Sequence, residues 1–501
     1  MSNEIGLRER VREPPCDRLV ESYYRPNVAR ALAITFDHEM WIHLAHVLML
    51  GRQGIVAQSA VAAILGCILD LAEGGPDMIP VDDRAEDMYS YVEREIVRRL
   101  GADVGGRLHT GRSRNDLHTS SARMALRGLL IENLQALAGL RTTTLDLADR
   151  HAETVMPGYT HAQHAQPVTF GYWMLAVADV LARDHRRLTG ALLHADLCPL
   201  GSGALTTTAF PLDRIFTSEA LGFAAPLDSA YDGVASRDDA LEAISACATL
   251  MTGLSRVAAD LQAWSTWEYG FVELADRHSA VSSIMPQKKN PAALEHIKAA
   301  AGITQGLLMA TMACMKNTAF ADVNDGVSAI NEPVYDACQR TCRICLLLTE
   351  VLQGLTLNPD RMLLAATKGF GSATELADVI VRESGLSFRT AHNIVASVVR
   401  EALEHGRTAD QVRSQDLDAA SQALLGKPLG LPQAVVTQAL DPAANIRVRT
   451  ILGGPAPSNM RMGIASRRAA LAADASAIAA IAERIGTARM RVFGLARAAR
   501  A

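Results

Sequence analysis

Apolar side chains recur at intervals of three and four residues along nearly the whole chain, the spacing of amphipathic helices and not of strands. Residues 117–153 contain no proline, and Leu126, Leu130, Leu134 and Leu137 fall on one helical face. Further helical runs follow Pro167, cover 237–269, begin after Asn290-Pro291 and extend over 333–353. Asn290 is expected to cap the fourth run with Pro291 as its first helical residue, where a missing amide costs nothing. Helices of roughly 25 to 40 residues, rising ~1.5 Å per residue, exceed what a small globule needs. Several in succession predict a rod-like bundle with its sides buried in an oligomer.

Gly- and Pro-containing segments at 105–116, 156–167, 199–211 and 277–291 separate these rods, and such loops carry function more often than the helices they join. Past Leu357-Asn358-Pro359 the helical runs shorten, until an Ala-rich helix closes the chain. The expected architecture is all-α with three domains: 1–110, a central long-helix domain over 111–358, and 359–501. A length of 501 residues suits that number. With 49% hydrophobic residues but only 5% aromatic, the composition favours long helices over sheet.

A formal net charge of −5 gives no electrostatic case for nucleic acid. The charged amino-terminal stretch lacks the apolar run of a leader, and no apolar stretch reaches the ~20 residues that cross a bilayer. Eight scattered cysteines suit reduced thiols in a cytoplasm better than a disulfide frame.

The sharpest chemical signal is Ser282-Ser283-Ile284-Met285-Pro286-Gln287-Lys288-Lys289-Asn290-Pro291. It feeds a helix start and collects two hydroxyls, two ammonium groups and a carboxamide, together with free first-turn amides. Such a loop can bind a carboxylate and stabilise negative charge developing on it. The Ser/Lys/Asn mixture alone suits a solvated surface loop equally well. The string as a whole, however, resembles the signature loop of the fumarase/aspartase superfamily, Ser-Ser-x-Met-Pro-x-Lys-x-Asn-Pro. Its Gln-Lys-Lys filling is similar to the argininosuccinate lyase branch, not to fumarases or adenylosuccinate lyases. His109-Thr110-Gly111-Arg112-Ser113-Arg114-Asn115-Asp116 and the segment from Pro157 through Thr160-His161 to Pro167 resemble the same branch, as do Pro199 to Leu205, 373–378 and 453–457. The resemblance runs from about Glu86 to the end, and the first 85 residues match poorly.

The resemblance implies a cofactor-free, metal-free carbon–nitrogen lyase that eliminates fumarate from an N-substituted aspartate. It implies a homotetramer whose sites are each assembled from three segments of different subunits. On that pattern Ser282 takes the Cβ proton, while Lys288 and Asn290 hold the neighbouring carboxylate. Ser113, Arg114, Asn115, Thr160 and Ser283 grip the substrate, and His161 pairs with Glu295 to serve the leaving nitrogen. The chemistry needs such groups. A proton beside a carboxylate is weakly acidic, so the dianion formed must meet preorganised cations and donors. A serine is a weak base until its oxyanion is stabilised. The choice of Ser282 over Ser283 rests on the resemblance.

Other patterns read more plainly. His38, Glu39 and His43 miss zinc-protease spacing by one residue. Cys338, Cys342 and Cys345 share an apolar helical face and read as core. His109, His118 and His164 read as neighbours of the motifs.

Three departures from the family pattern stand out. Val281 replaces a glycine before the serine pair, and Tyr89 replaces a histidine. In the family segment Tyr-Asn-Lys-Asp-x-Gln-Glu-Asp-Lys-Glu-Pro, which serves arginine's own carboxylate, the tyrosine, both lysines and the glutamine are gone. Anchored on Glu332-Pro333, the equivalents are Val323, Asn324, Asp325, Gly326, Ser328 and Asn331. The fumarate half therefore reads as intact and the amine half as rebuilt for an amine without that carboxylate, a cationic one included. An ethylenediamine-disuccinate lyase, an aminopolycarboxylate-degrading member of the branch, suits that description. The alternative is a catalytically inactive structural relative of the δ-crystallin kind.

Overall fold

The computed structural model describes residues 10–11, 13–81 and 85–500; most of the charged amino-terminal stretch lies outside them. Helices dominate, and the strands form four two-stranded pairs. The predicted rods are α1 (Arg114–Arg150), α2 (Phe170–Ala195), α3 (Asp238–Trp264), α4 (Ala292–Met315) and α5 (Asn331–Gln353). The 44-residue α6 (Pro457–Arg500) closes the chain.

The start of α4 differs from expectation by one position. Lys289 and Asn290 form strand β4 (Lys289–Asn290), paired antiparallel with β3 (Ala280–Val281). That ladder commits the Asn290 backbone, so Pro291 becomes the cap and Ala292 the first helical residue.

The main core gathers apolar faces of α1 to α5, among them Leu130, Leu137, Leu188, Leu254, Ile297 and Leu348. A second cluster joins the amino-terminal helices to the start of α1, and a third occupies 376–440. The Ala-rich closing helix leaves that third cluster and lies along the bundle. Met460, Ile464, Leu471 and Ile478, spaced by four and seven, join the main core, and Ala488 and Val492 join the second. Arg141–Asp474 (2.7 Å) and Arg467–Asp179 (2.6 Å) fasten it.

Helix α4 departs from the expectation that no apolar stretch is long enough to span a bilayer: by length and composition it is, and only 28% of its most apolar window is buried in the subunit. Ile303, Met309 and Met312 face outward, and among the described residues no other element crowds Gly302 or Gly306.

Candidate active site

The first motif segment sits at the amino-terminal end of α1. Ser113 caps the helix, its Oγ accepting from the Asn115 amide (3.2 Å), while Asp116 accepts from the Ser113 amide (3.0 Å). The other oxygen of Asp116 accepts from the Gly201 and Gly203 amides (2.9 and 3.0 Å), which explains the 199–205 motif as a clamp on this turn. Burial pushes the Asp116 carboxyl up to about 6, against these donors. Asn115 Nδ2 donates to the Ala204 carbonyl, and Arg114 pairs with Glu86 (3.2 Å) and Asp87 (3.0 Å).

The second segment follows the other end of α1 as a hairpin, β1 (Val155–Thr160) and β2 (Gln163–Thr169). Its two-residue turn is His161-Ala162, both left-handed (φ 54° and 58°), the geometry that matches strand twist at a cost normally avoided with Asn or Gly. A non-glycine pair held there presents His161 to solvent. Behind it, the Tyr159 ring meets His164 edge-on (5.3 Å) and Tyr269 (5.9 Å).

The third segment is a loop pinned at its base by the β3–β4 pair. Ser282 Oγ accepts the Met285 amide at 3.0 Å and the Ile284 amide at 3.4 Å. The two lysines divide: Lys289 is tied to Glu273 (2.9 Å) and Asp276 (2.8 Å), whereas Lys288 and Ser283 are exposed. Val281 lies in β3 without positive φ, so its strand position accepts a β-branched side chain. Glu295 lies exposed in the first turn of α4; it and His161 are not paired with each other among the described residues.

The first segment does not meet the other two in one subunit. Thirty-seven residues of α1, roughly 55 Å of helix, separate Ser113, Arg114 and Asn115 from Thr160 and His161. The signature loop belongs to the hairpin's end: Tyr269 touches Tyr159, Val272–Glu273 pairs with Thr356–Leu357, and Gln353 reaches Thr143 near the end of α1.

Beside Arg114 and Asn115 lies a cavity of about 530 Å³. Asn324, Ser328 and Asn331 of the rebuilt segment line it, together with Asp322. Tyr23, Asn27, Arg30 and Glu39, from the amino-terminal residues that carry none of the motifs, were not legible as site residues, yet they form its other wall. Two π-helical turns, Val20–Tyr24 and Asn324–Ser328, flank it, a feature frequent at functional sites. His118, set aside in the sequence, is one turn past Arg114 and lines the same cavity; that i+4 spacing was the available signal.

Behind this wall is a buried polar cluster. Arg112 donates to His43 Nδ1 (3.0 Å), which fixes that imidazole as neutral, and burial holds its pKa well below the usual value. Tyr89, in place of the family's histidine, bonds Glu93 (2.8 Å) and His109 (2.7 Å). Glu39 is 2% exposed, and burial first and Asp87 second push its carboxyl up to about 8. Between the ordinary 4.5 and about 8, the folded protein holds a proton that the unfolded chain has lost, so stability falls as pH rises through that window. Glu39→Gln removes this penalty. It is expected to unfold later than wild type at alkaline pH, by on the order of 3 kcal/mol, with little difference at acidic pH. Thermal scans at both pH values check this, and an equal shift at the two would refute the assignment.

A family model described as Lyase matches residues 34–306, and one described as Argininosuccinate lyase C-terminal matches 370–447. Argininosuccinate lyase 1 of Shouchella clausii is 37% identical over 465 residues, 93% of each chain. Argininosuccinate lyase of Methanoculleus marisnigri is 39% identical over 436 residues, 87% of each. Among solved structures, EDDS lyase in complex with formate aligns with a TM-score of 0.88 at 32% identity, covering 94% of this chain and 92% of that one. The chain therefore belongs to the argininosuccinate lyase branch of the fumarase/aspartase superfamily and is a carbon–nitrogen lyase.

Proposed function

We propose that the protein eliminates fumarate from an N-substituted aspartate, with Ser282 as base. The observation that carries this reading is the Ser282 hydroxyl oxygen facing two backbone amides, because these donors meet the charge an alkoxide would bear. Ser282 removes the Cβ proton, the electron pair forms the C=C bond, and the C–N bond breaks toward nitrogen. Lys288 and Asn290 hold the carboxylate beside the developing carbanion. Ser113, Arg114, Asn115, Thr160 and Ser283 grip the succinyl half, and His161, paired with Glu295, returns a proton to the leaving amine. Fumarate release from a set of N-succinyl amines tests the reading, and none from any of them would favour the inactive structural relative.

The separation of the first segment from the other two supports an oligomer whose sites are shared between subunits, which we take to be a tetramer with three subunits at each site. The outward apolar face of α4, with Gly302 and Gly306 open to close approach, is suited to bundle against its copies. The eight unpaired cysteines are in keeping with a reducing, cytoplasmic setting. If His161 and Ser282 of one site come from different subunits, Ser282→Ala and His161→Asn protomers, each inactive alone, should regain activity when dissociated and reassembled together. A fully active monomer, by light scattering with assay, would refute shared sites.

A further inference from the structure

The hairpin that carries Thr160 and His161 is short of internal support. Its register shifts between Pro157 and Tyr159, and a two-stranded hairpin by itself is marginally stable at best. Its turn is also costly. His161 and Ala162 are left-handed without being glycine, a state that persists only where the surroundings over-determine it. Those surroundings come from the carboxy-terminal part of the chain. The helix Pro359–Lys368 packs on β1, and the turn Phe370–Ser372 and the helix Pro442–Arg447 pack on β2. The fit is close. An added methyl carbon at Gly371 would overlap the Ala165 carbonyl oxygen of β2, and one at Gly369 would fall 2.6 Å from His164 Nδ1. The segments 373–378 and 453–457, which the elimination leaves unused, brace this seat. Glu375, almost fully buried, pairs with Arg382 (2.6 Å) and lies 3.8 Å from Arg449, which donates to Asn445 (2.8 Å). The Gly453 carbonyl accepts from the hydroxyl of Tyr172 (2.8 Å), three residues past the hairpin.

We propose that Gly369 and Gly371 are positioning residues: by admitting β2 to this close contact they fix the His161-Ala162 turn, and with it Thr160 and His161. The inference rests on the elimination reading above, in which those two side chains serve the site. A side chain at 371 must push against backbone, which cannot swing aside as another side chain can. The displaced strand takes the turn with it, since Thr160 pairs with Gln163 and Tyr159 with His164 across the ladder. At 369 the obstacle is an imidazole instead, so the misfit there has a removable cause. Neither glycine has a positive φ, so an alanine at either position is free of backbone strain and acts through contact alone. Misplacing a reacting group by about 1 Å costs on the order of 10²-fold in rate.

The test makes two measurements on the assembled protein. One is fumarate release from argininosuccinate and from N-(2-aminoethyl)aspartate; the other is amide hydrogen exchange over the 155–169 hairpin and the 376–440 core. Gly371→Ala should lower kcat by at least ~10-fold and speed exchange in the hairpin, with the 376–440 core protected as in wild type. Gly369→Ala should lose activity several-fold. His164→Ala, harmless by itself, should restore most of that loss in the double variant, a rescue that a general loss of stability would not give. Wild-type turnover and hairpin exchange in Gly371→Ala, or a Gly369→Ala loss that removing the imidazole leaves in place, would overturn the assignment. Absence of fumarate from both compounds with wild type would instead remove the elimination reading, and the positioning role with it, whatever the exchange shows.

Discussion

Ser282→Ala is expected to lower kcat by at least ~10²-fold while leaving the fold and assembly intact, the usual loss for a positioned base. The side chain is small and sits in a loop at the surface, so its removal opens no core cavity. What disappears is the acceptor of the Met285 and Ile284 amides. Those donors are worth most once the oxygen carries charge, which it does on the way to the carbanion and not in the resting loop. The loss should therefore fall on kcat, with KM changed little. Ser283→Ala should cost less, because Ser283 is exposed and, among the described residues, its hydroxyl has no comparable pair of amides. Steady-state kinetics on both variants, with circular dichroism and light scattering as controls for fold and assembly, decide between them. Near-normal turnover by Ser282→Ala together with a collapsed Ser283→Ala would exchange the two roles.

How much was legible in the chain follows from how each feature is encoded. The rods were readable because a helix repeats its signal every turn: Leu126, Leu130, Leu134 and Leu137 all lie buried on α1. The signature loop was readable because its groups are contiguous. Local competition was not. Asn290 looks like a cap until its backbone is paired with Ala280. The left-handed turn at His161-Ala162 has neither glycine nor asparagine to announce it. Long-range placement was hidden as well. Nothing in the Ala-rich composition of α6 says that it leaves the 376–440 cluster for the main bundle; only the spacing of Met460, Ile464, Leu471 and Ile478 hints at a continuous partner. The cavity beside Arg114 was the hardest to foresee. Its walls come from residues some 300 positions apart, and one wall is an amino-terminal segment that carries none of the motifs.

That cavity also sets the second large expectation: argininosuccinate should be a poor substrate, although its succinyl half fits. The residues at the positions serving arginine's own carboxylate are now Val323, Asn324, Asp325, Ser328 and Asn331, none of them a cation. Asn331 Oδ1 accepts from Arg237 at 2.7 Å, so that only its uncharged amide N–H could meet a carboxylate. Arg30 comes from the opposite wall but is already paired with Glu332 and bonded to Asn27. Arg114 is likewise held between Glu86 and Asp87. A carboxylate brought in against Asp322 would exchange its water for like charge and neutral donors, with no free cation to meet it, at a cost of roughly 3 kcal/mol or more. At ~1.4 kcal/mol per decade, that is about a hundredfold or more in kcat/KM relative to an N-succinyl diamine. The loss should appear mainly in KM with kcat changed little, since the unpaired group meets the same misfit in the bound substrate as in the transition state. Side-by-side assays of fumarate formation from the two compounds measure it directly. Efficient cleavage of argininosuccinate would mean that Arg30 or Arg114 releases its carboxylate partner on binding, and that the amine half is built for arginine after all.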